Sequence, residues 1–283
     1  MSEPPTAARL VERGAEELAR AGLESSRNDS EVLLRHALGW TRESLLARLS
    51  ETVSPEAAGH FFQLLDRRRS HVPLQYITGF QEFWGLSFRV TPAVLIPRTE
   101  TEGIVEAVRA RLTGPVRIID VGAGSGCITT VVAYLLRESY VWATDVSAAA
   151  LAVARENAAR HGVSSRVEFL EGDLLEPIRE TGFDAIVSNP PYVAEHELLK
   201  LPPEVKDHEP RLALAAGAEG LDVLRRLIPA AAERLRDGGY LIFEIAHGME
   251  ASAKKLIAEA SLAWETTEPD LQGIPRIVVA RRG

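Results

Sequence analysis

The sequence of 283 residues has one cysteine, Cys127, and no apolar run near the roughly 18 residues that a membrane-spanning helix needs. A single cysteine excludes an intramolecular disulfide and is typical of proteins of the reducing cytoplasm. The first residues, MSEPPTAARLVERG, carry acids and prolines where a signal peptide would carry a basic and then an apolar segment. We therefore expect a cytoplasmic protein that does not enter a membrane.

Positive charge is also scarce, since 32 Lys and Arg residues face 40 Asp and Glu residues, for a net charge of −8. Nucleic-acid binders usually carry a basic face, because neutralising phosphates supplies most of their non-specific affinity. The only strong basic cluster is Arg67-Arg68-Arg69. This balance argues against duplex DNA and disfavours nucleic acid as a partner. The seven histidines are scattered without the spacing of metal ligands, so no metal site is predicted.

The chain divides by pattern into three parts. Residues 1–72 show helical spacing of apolar residues, and Ser54-Pro55 has the form of a helix start. Residues 73–98 alternate as strands do, with Gly79 and Gly85 as turn residues, and predict a β-hairpin linker. Residues 99–283 alternate strands with helices, which is the pattern of a mostly parallel sheet covered on both faces. We expect a small all-α domain, the linker and an α/β domain.

Within the third part, Thr99 and Glu102 have the spacing of a capping box for a helix that runs to about Arg111. The predicted strands of the sheet are Val116–Val121, Tyr140–Asp145, Arg166–Leu170, Phe183–Ser188 and Tyr240–Ala246, followed by a closing antiparallel pair, Ala263–Thr267 and Arg276–Ala280. The predicted helices are Cys127–Arg137, Ala148–His161, Leu221–Arg236 and Met249–Ala260.

A glycine-rich turn follows the first of these strands. It consists of Gly122, Ala123, Gly124, Ser125 and Gly126, just before a helix start. Glycine allows positive φ and close approach of a ligand, and a helix N-terminus favours a carboxylate or a phosphate. Taken alone the signal is weak, because any tight turn between a strand and a helix may use glycine.

Acidic residues next to this turn distinguish between two nucleotide cofactors. Asp145 ends the next strand, where it can accept hydrogen bonds from both hydroxyls of a ribose. NAD is the first rival, but its G-x-G-x-x-G pattern is not met, since the third glycine comes one residue early. Asp120 precedes the turn, where it could receive an ammonium group, and Asp173-Leu174 could meet an adenine. These residues fit S-adenosylmethionine better than NAD.

The four residues Asn189-Pro190-Pro191-Tyr192 follow an apolar strand. Neither proline can donate a backbone N–H, and each holds the residue before it extended. The tetrad therefore predicts a stiff strand end that presents an amide, a carbonyl or two and an aromatic ring to one small volume. Such a site could hold a planar NH2 group; a proline-rich strand exit without function is the alternative.

Several stretches share one family pattern: Pro73–Gly79, Glu82–Leu86, Val94–Arg98, the glycine turn, Ser188–Tyr192, Glu209-Pro210 and Gly220-Leu221. On these stretches the chain resembles the release factor glutamine N5-methyltransferases (HemK/PrmC type) along nearly its whole length. The tetrad alone is shared with DNA adenine methyltransferases. The stretch from Pro73 to Arg98 is more specific and separates this family from the ribosomal-protein glutamine methyltransferases.

The resemblance implies a Rossmann-like, S-adenosylmethionine-dependent methyltransferase domain and a helical N-terminal domain that engages the substrate protein. The implied substrate is the Gln of the Gly-Gly-Gln loop in class 1 peptide chain release factors. The expected cofactor-binding residues are Asp120, Gly122, Ala123, Gly124, Ser125, Gly126, Asp145, Asp173, Leu174 and Asn189. In two places the chain departs from the family pattern, with Thr99 where proline is usual and Ala246 where glycine is usual.

The tetrad suggests how an amide would be methylated. A glutamine nitrogen is a poor nucleophile, so catalysis would rest on positioning and desolvation beside a strong methyl donor. We expect Asn189 Oδ1 and the Pro190 carbonyl to accept the two amide hydrogens, while Tyr192 packs on the amide plane and Pro191 completes the substrate site. A DNA adenine N6-methyltransferase, a ribosomal-protein glutamine methyltransferase and a silent cofactor-binding module are the alternatives.

Overall fold

The computed structural model describes residues 4–283. Their helices are α1 (Ala7–Arg20), α2 (Ser26–Leu38), α3 (Arg42–Ala47), α4 (Pro55–Arg69), α5 (Leu74–Thr78), α6 (Glu102–Arg111), α7 (Cys127–Leu135), α8 (Ala148–Arg160), α9 (Glu195–Leu198), α10 (Pro203–Lys206), α11 (Asp222–Arg234) and α12 (Glu250–Glu259). Their strands are β1 (Phe80–Phe83), β2 (Leu86–Arg89), β3 (Arg117–Val121), β4 (Tyr140–Asp145), β5 (Val167–Glu171), β6 (Phe183–Ser188), β7 (Leu235–Glu244), β8 (Leu262–Pro269) and β9 (Pro275–Arg282).

These elements form two compact units. The helical unit contains the described residues up to Gly79 together with Pro202–His208, and the catalytic unit contains Phe80–Leu201 and Glu209–Gly283. Among the residues described, no helix is both long enough and apolar enough to cross a membrane.

The helical unit is built on an apolar core of fully buried side chains. Its largest members are Leu10, Leu18, Leu33, Leu34, Phe61 and Leu65. The predicted start of α4 is confirmed, because the Ser54 side chain accepts from the backbone N–H of Ala57. A buried ion pair between Arg68 and Asp29, at 2.7 Å, extends to Glu204 and anchors the segment Pro202–His208 within this unit.

The catalytic unit holds a seven-stranded sheet in the order β5-β4-β3-β6-β7-β9-β8. The first five strands of this order are parallel, and β9 pairs antiparallel with both β7 and β8. Two apolar clusters cover its two faces, one centred on α6 and α7, the other on α11 and α12. The predicted fold class is thus confirmed, including the closing antiparallel pair.

Most predicted boundaries agree within one or two residues, but β7 begins at Leu235 rather than Tyr240. Its first half contains Gly238-Gly239, a composition that disfavours a strand prediction. A register shift at this point lets Gly239 pack against the backbone of β6, where a Cβ would lie 2.8 Å from the Phe183 carbonyl oxygen. Glycine is therefore required here by a close backbone approach.

The predicted hairpin is confirmed for β1 and β2, which are joined by a two-residue turn of Trp84 and Gly85 with φ of 55° and 69°. The residues just before it, Leu74–Thr78, form the helix α5 instead of a strand. The predicted capping box is wrong. Thr99–Thr101 is a 3-10 turn without a side-chain cap, and the Glu102 carboxylate accepts from the Trp84 backbone N–H at 2.7 Å.

Candidate active site

The site lies where the order of the parallel strands reverses in the sheet. The chain crosses from β3 to β4 in one direction along the sheet, while β6 lies on the other side of β3. In open α/β sheets, ligands bind at this switch point, beyond the carboxyl ends of the strands. A cavity of about 380 Å³ opens there, a volume within the usual range for small-molecule sites. All of its lining residues belong to the catalytic unit. Many lie in the glycine turn and after β4, β5 and β6, and others lie within residues 93–101 and 210–215.

The glycine turn forms one wall of this cavity. Gly122, Gly124 and Gly126 have φ of 76°, 54° and 75°, so each adopts the left-handed conformation that favours glycine. Gly122, Ala123, Gly124 and Ser125 line the cavity. Gly126 lies behind them, where a Cβ would come within 2.9 Å of the Ala154 Cβ. The turn therefore holds its backbone against the cavity because α8 packs directly against its last glycine.

Asp145, at the end of β4, fastens this wall. Its Oδ2 accepts from the Gly124 N–H and its Oδ1 accepts from the Ser147 N–H, both at 2.9 Å. The residue is half-buried and lines the cavity. Each carboxylate oxygen has further lone pairs, so Asp145 can accept additional hydrogen bonds from a ligand without giving up either backbone partner.

Asp120 lies behind the glycine turn and is fully buried. Its Oδ2 accepts from both the backbone N–H and the hydroxyl of Thr129, at 3.0 and 2.5 Å, and so caps the first turn of α7. Its Oδ1 is buried and has no hydrogen-bond partner among residues 4–283. Burial raises the pKa of this carboxyl to about 6. The orphaned oxygen marks a place where a donor from outside the chain would be stabilised.

The residues after β5 contribute a second part of the cavity lining. Asp173 and Leu174 both line the cavity. Leu174 has φ of 48°, a strained conformation for a leucine, and such strain is found at binding sites that surrounding structure enforces. Asp173 forms an ion pair with Arg226 of α11 at 2.6 Å, which fixes its carboxylate beside the cavity.

Two residues of the tetrad contribute a third part of the cavity lining. Asn189 and Pro191 line the cavity, whereas Pro190 is buried and Tyr192 is half-buried beside it. The backbone that leaves the tetrad packs against Gly220, where a Cβ would lie 2.4 Å from the Tyr192 carbonyl oxygen. This contact gives a reason for a glycine at 220, since any side chain there would displace the tetrad.

Two residues that the sequence prediction missed hold both ends of the tetrad. The Asn189 Nδ2 donates to Thr101 Oγ1 at 3.0 Å, and the Thr101 hydroxyl donates to Glu244 Oε2 at 2.7 Å. The Tyr192 hydroxyl donates to the other carboxylate oxygen, Glu244 Oε1, at 3.2 Å. Burial raises the pKa of Glu244, and burial and this carboxylate raise the pKa of Tyr192 well above its usual range. A lone acid within the otherwise apolar predicted strand Tyr240–Ala246 was the available signal.

Arg98, the last residue of the linker, lines the cavity and pairs with Glu209, whose second oxygen accepts from the Ile96 backbone N–H. Cys127 also borders the cavity, but burial raises the pKa of its thiol to about 12, so it is no nucleophile at neutral pH. Among residues 4–283, no group of three or more His, Cys, Asp or Glu side chains could hold a metal ion.

The two departures from the family pattern fit without strain. Thr99 is the first residue of the 3-10 turn that carries Thr101. Ala246 follows β7 and is not among the residues with positive φ, so the backbone there does not require glycine.

Two family models match the chain: the PrmC N-terminal domain over residues 9–79 and the Methyltransferase small domain over residues 100–201. The release factor glutamine methyltransferase of Moorella thermoacetica is 48% identical over 269 residues, or 94% of each chain. That of Geobacter sulfurreducens is 42% identical over 94% of this chain and 93% of the relative. Among solved structures, the T. thermophilus 16S rRNA methyltransferase in complex with AdoMet and guanosine has a TM-score of 0.54 at 19% identity, covering 72% of this chain and 50% of that chain. That likeness concerns the fold alone.

Proposed function

This chain belongs to the family of release factor glutamine methyltransferases, and we propose that it transfers a methyl group from S-adenosylmethionine to the side-chain nitrogen of the Gln in the Gly-Gly-Gln loop of class 1 release factors. The observation that carries this proposal is the position of Asn189. It lines the same cavity as the glycine turn and Asp145, with its Nδ2 held by Thr101. Its Oδ1 is thereby left to accept from a substrate amide.

The residues that line the cavity, together with Asp120 and Gly126 behind its wall, fit the proposed cofactor. Asp145 has spare acceptor capacity for the ribose hydroxyls, and the glycine turn offers backbone without side chains. The orphaned Oδ1 of Asp120 suits the ammonium of the methionine part, and Asp173 and Leu174 suit the adenine. We assign these residues, together with Ala123, Ser125, Gly126 and Asn189, to cofactor binding. When bound, S-adenosylmethionine supplies an electrophilic methyl group.

The tetrad would contribute to catalysis by positioning the glutamine amide. Asn189 Oδ1 and the Pro190 carbonyl accept the two hydrogens of the glutamine amide, which fixes the direction of its nitrogen. Acceptors aimed at this NH2 group also stabilise the positive charge that develops on nitrogen during transfer. Tyr192 and Pro191 border the amide and help to exclude water, which strengthens these contacts. No general base is needed before transfer, since the surplus proton can leave afterwards.

We further propose that three parts of the chain have separate roles. Residues 1–72 engage the release factor, residues 73–98 link the two domains, and residues 99–283 carry out methyl transfer. The family match at residues 9–79 supports a dedicated role for the first part. From the proposed substrate and cofactor we infer that the reaction takes place in the cytoplasm.

The function is tested by incubating the protein with labelled S-adenosylmethionine and one of four acceptors: a class 1 release factor, its Gln→Ala loop variant, a ribosomal protein fraction, or DNA. We expect label in the intact release factor alone. Label in DNA would identify an adenine methyltransferase, and label in the ribosomal fraction would identify the sister activity. If no acceptor is labelled, the proposed activity is wrong.

The cofactor role of Asp120 makes a separate prediction. Burial raises the pKa of this carboxyl from its ordinary value of 3.8 to about 6, so folding at pH 7 buries a charge at a cost of about 3 kcal/mol. The stability that its protonated form contributes is fully present below pH 3.8 and is lost as the pH rises through 6. Asp120→Asn keeps an acceptor for Thr129 without the charge. We therefore expect the cofactor-free variant to melt at a higher temperature than the wild type at pH 7.

Thermal melts with and without S-adenosylmethionine check both parts of this prediction. The stability advantage of Asp120→Asn should shrink at pH 5, where the wild-type carboxyl is largely protonated, which serves as the internal control. At pH 7, the ligand should stabilise the variant less than it stabilises the wild type, because the ammonium has lost its counter-charge. An unchanged ligand-induced shift would contradict the assignment of Asp120 to the cofactor.

A further inference from the structure

Four polar side chains form one continuous line beside the cavity. They come from three separate elements: Thr101 from the 3-10 turn before α6, Asn189 and Tyr192 from the tetrad after β6, and Glu244 from the end of β7. The line runs from Asn189 to Thr101 to Glu244 and on to Tyr192, with separations of 3.0, 2.7 and 3.2 Å. All four belong to the catalytic unit.

The direction of each hydrogen bond follows from the carboxylate. An ionised carboxylate can only accept, so the Thr101 hydroxyl must spend its single hydrogen on Glu244. The Thr101 oxygen then has only lone pairs to offer Asn189. Since a lone pair requires a donor, the NH2 end of the Asn189 amide faces Thr101, and its oxygen faces away. The charge on Glu244 thus determines which end of the amide is free.

We infer that Glu244 is a positioning residue, whose carboxylate acts through Thr101 to hold the Asn189 amide with its oxygen towards the substrate. The inference rests on the proposed function, because it assigns a role in presenting an acceptor to the glutamine NH2 group. A reversed Asn189 amide would instead oppose one NH2 group with another, and the substrate nitrogen would lose its acceptor.

The burial of this line argues against a merely structural role. Thr101 and Glu244 are each only 2% exposed, and Glu244 lies between Phe243 and Ile245, which are fully buried. A buried carboxylate is costly, and well-packed apolar residues often serve stability equally well. Arg276 favours the charged form of Glu244, whereas Glu100 disfavours it, and Tyr192 donates to it. The effect of Glu244 on the orientation of the Asn189 amide explains why a carboxylate is present here despite the free-energy cost of burying it.

Protonation of Glu244 would allow the Asn189 amide to reverse its orientation. A neutral carboxyl can donate to Thr101, which can then donate to the Asn189 oxygen and reverse the amide. Burial raises the pKa of Glu244, so this change begins at a higher pH than for an exposed glutamate. Turnover measured at saturating cofactor should therefore fall as the pH decreases through that pKa, whereas protonation of Asp120 acts on cofactor affinity.

Thr101→Val tests the inference directly, because it keeps the shape of the side chain and removes the hydroxyl. We expect kcat on the release factor to fall by about tenfold or more, as for the loss of an oriented hydrogen bond, with the Kd for S-adenosylmethionine unchanged. Thr101→Ser, which restores the hydroxyl, should recover most of the activity. Thr130→Val is the matched control: Thr130 is also buried in this unit, but its hydroxyl has no partner among the residues described. That variant should keep full activity.

Glu244→Gln provides the pH readout. It removes the titrating group, so we expect a lower kcat and the loss of the acidic limb of the wild-type pH profile. A wild-type kcat in Thr101→Val, or an unchanged acidic limb in Glu244→Gln, would overturn the inference while leaving the methyltransferase function in place. Failure of the wild type to label any release factor would instead refute the proposed function.

A measurement that does not depend on turnover distinguishes failure of this inference from failure of the proposed function. In ¹⁵N-labelled wild-type protein, the side-chain NH2 proton of Asn189 that is bonded to Thr101 should exchange slowly with water. In Thr101→Val, this protection should disappear, and in Thr130→Val it should persist. Equal exchange in all three proteins would show that Thr101 does not hold the amide.

Discussion

Replacing Asn189 with alanine is expected to abolish methyl transfer and to leave the binding of S-adenosylmethionine largely intact. The variant loses the Oδ1 acceptor for the glutamine amide and the bond to Thr101 that directs it. Removal of one aligned group that stabilises transition-state charge typically costs 10²–10³ in kcat, and we expect a loss of at least about 10³ here because orientation is lost as well. Single-turnover methylation of the release factor measures the rate, and calorimetric titration measures the cofactor affinity.

Gln272→Ala is a control for this experiment, since Gln272 carries the same carboxamide group and is exposed in the catalytic unit, outside the cavity lining. This variant should retain the wild-type rate. If Asn189→Ala also retains a rate near that of the wild type, the proposed mechanism fails, because no other side chain has been assigned to accept from the substrate. A large loss of cofactor affinity would instead mean that Asn189 acts chiefly on S-adenosylmethionine.

Replacing Asp145 with alanine is expected to weaken S-adenosylmethionine binding by roughly a hundredfold or more, since hydrogen bonds to a charged group contribute about 1.5–3 kcal/mol each. The variant loses the acceptors proposed for the ribose hydroxyls. It also loses the anchors of the Gly124 and Ser147 backbone N–H groups, which shape the wall of the cavity. At saturating cofactor, kcat should fall much less than affinity does, because Asn189 keeps its position.

Glu171→Ala is the matched control for Asp145→Ala. Glu171 ends the neighbouring strand β5, is paired in register with Asp145, and is exposed. Its removal therefore changes the net charge equally, at an equivalent place in the sheet, without removing an assigned cofactor contact. Equal Kd values for Asp145→Ala and the wild type would show that the carboxylate does not bind the ribose. A weakening shared by both variants would indicate a general electrostatic effect.

Local sequence patterns predicted those parts of the fold that depend on residues near in sequence. The strands β4 and β6 were predicted with the bounds that the structure gives them, because apolar runs end at Asp145 and Asn189. Where glycine interrupts a strand for the sake of a close backbone approach, as at Gly239, the same patterns failed. The prediction of a capping box failed for a related reason. The Glu102 carboxylate accepts from the Trp84 backbone N–H, which lies near it only in the folded chain.

The candidate site shows the same limit. The first four residues of the glycine turn, with Asp145, Asp173, Leu174 and Asn189, come together on one cavity, because each lies at or just beyond the end of a parallel strand and such ends meet at one edge of a sheet. Thr101 and Glu244 could not be found in this way. They lie far from the tetrad in sequence, and their connection to it depends on hydrogen-bond geometry that no periodicity encodes.

The position of Glu244 has a consequence for the inactivation of the enzyme by heat. Apart from Asn189, the groups proposed to bind the cofactor lie at the carboxyl ends of β3, β4 and β5 or just beyond them, whereas Glu244 ends β7, whose outer neighbour is β9. Local openings in proteins need far less free energy than global unfolding and often involve contiguous elements at one side of a sheet. Loosening of the β7–β9–β8 side would release the Asn189 amide while the cofactor wall stays folded. On warming, the protein should therefore lose turnover before it loses its methyl donor.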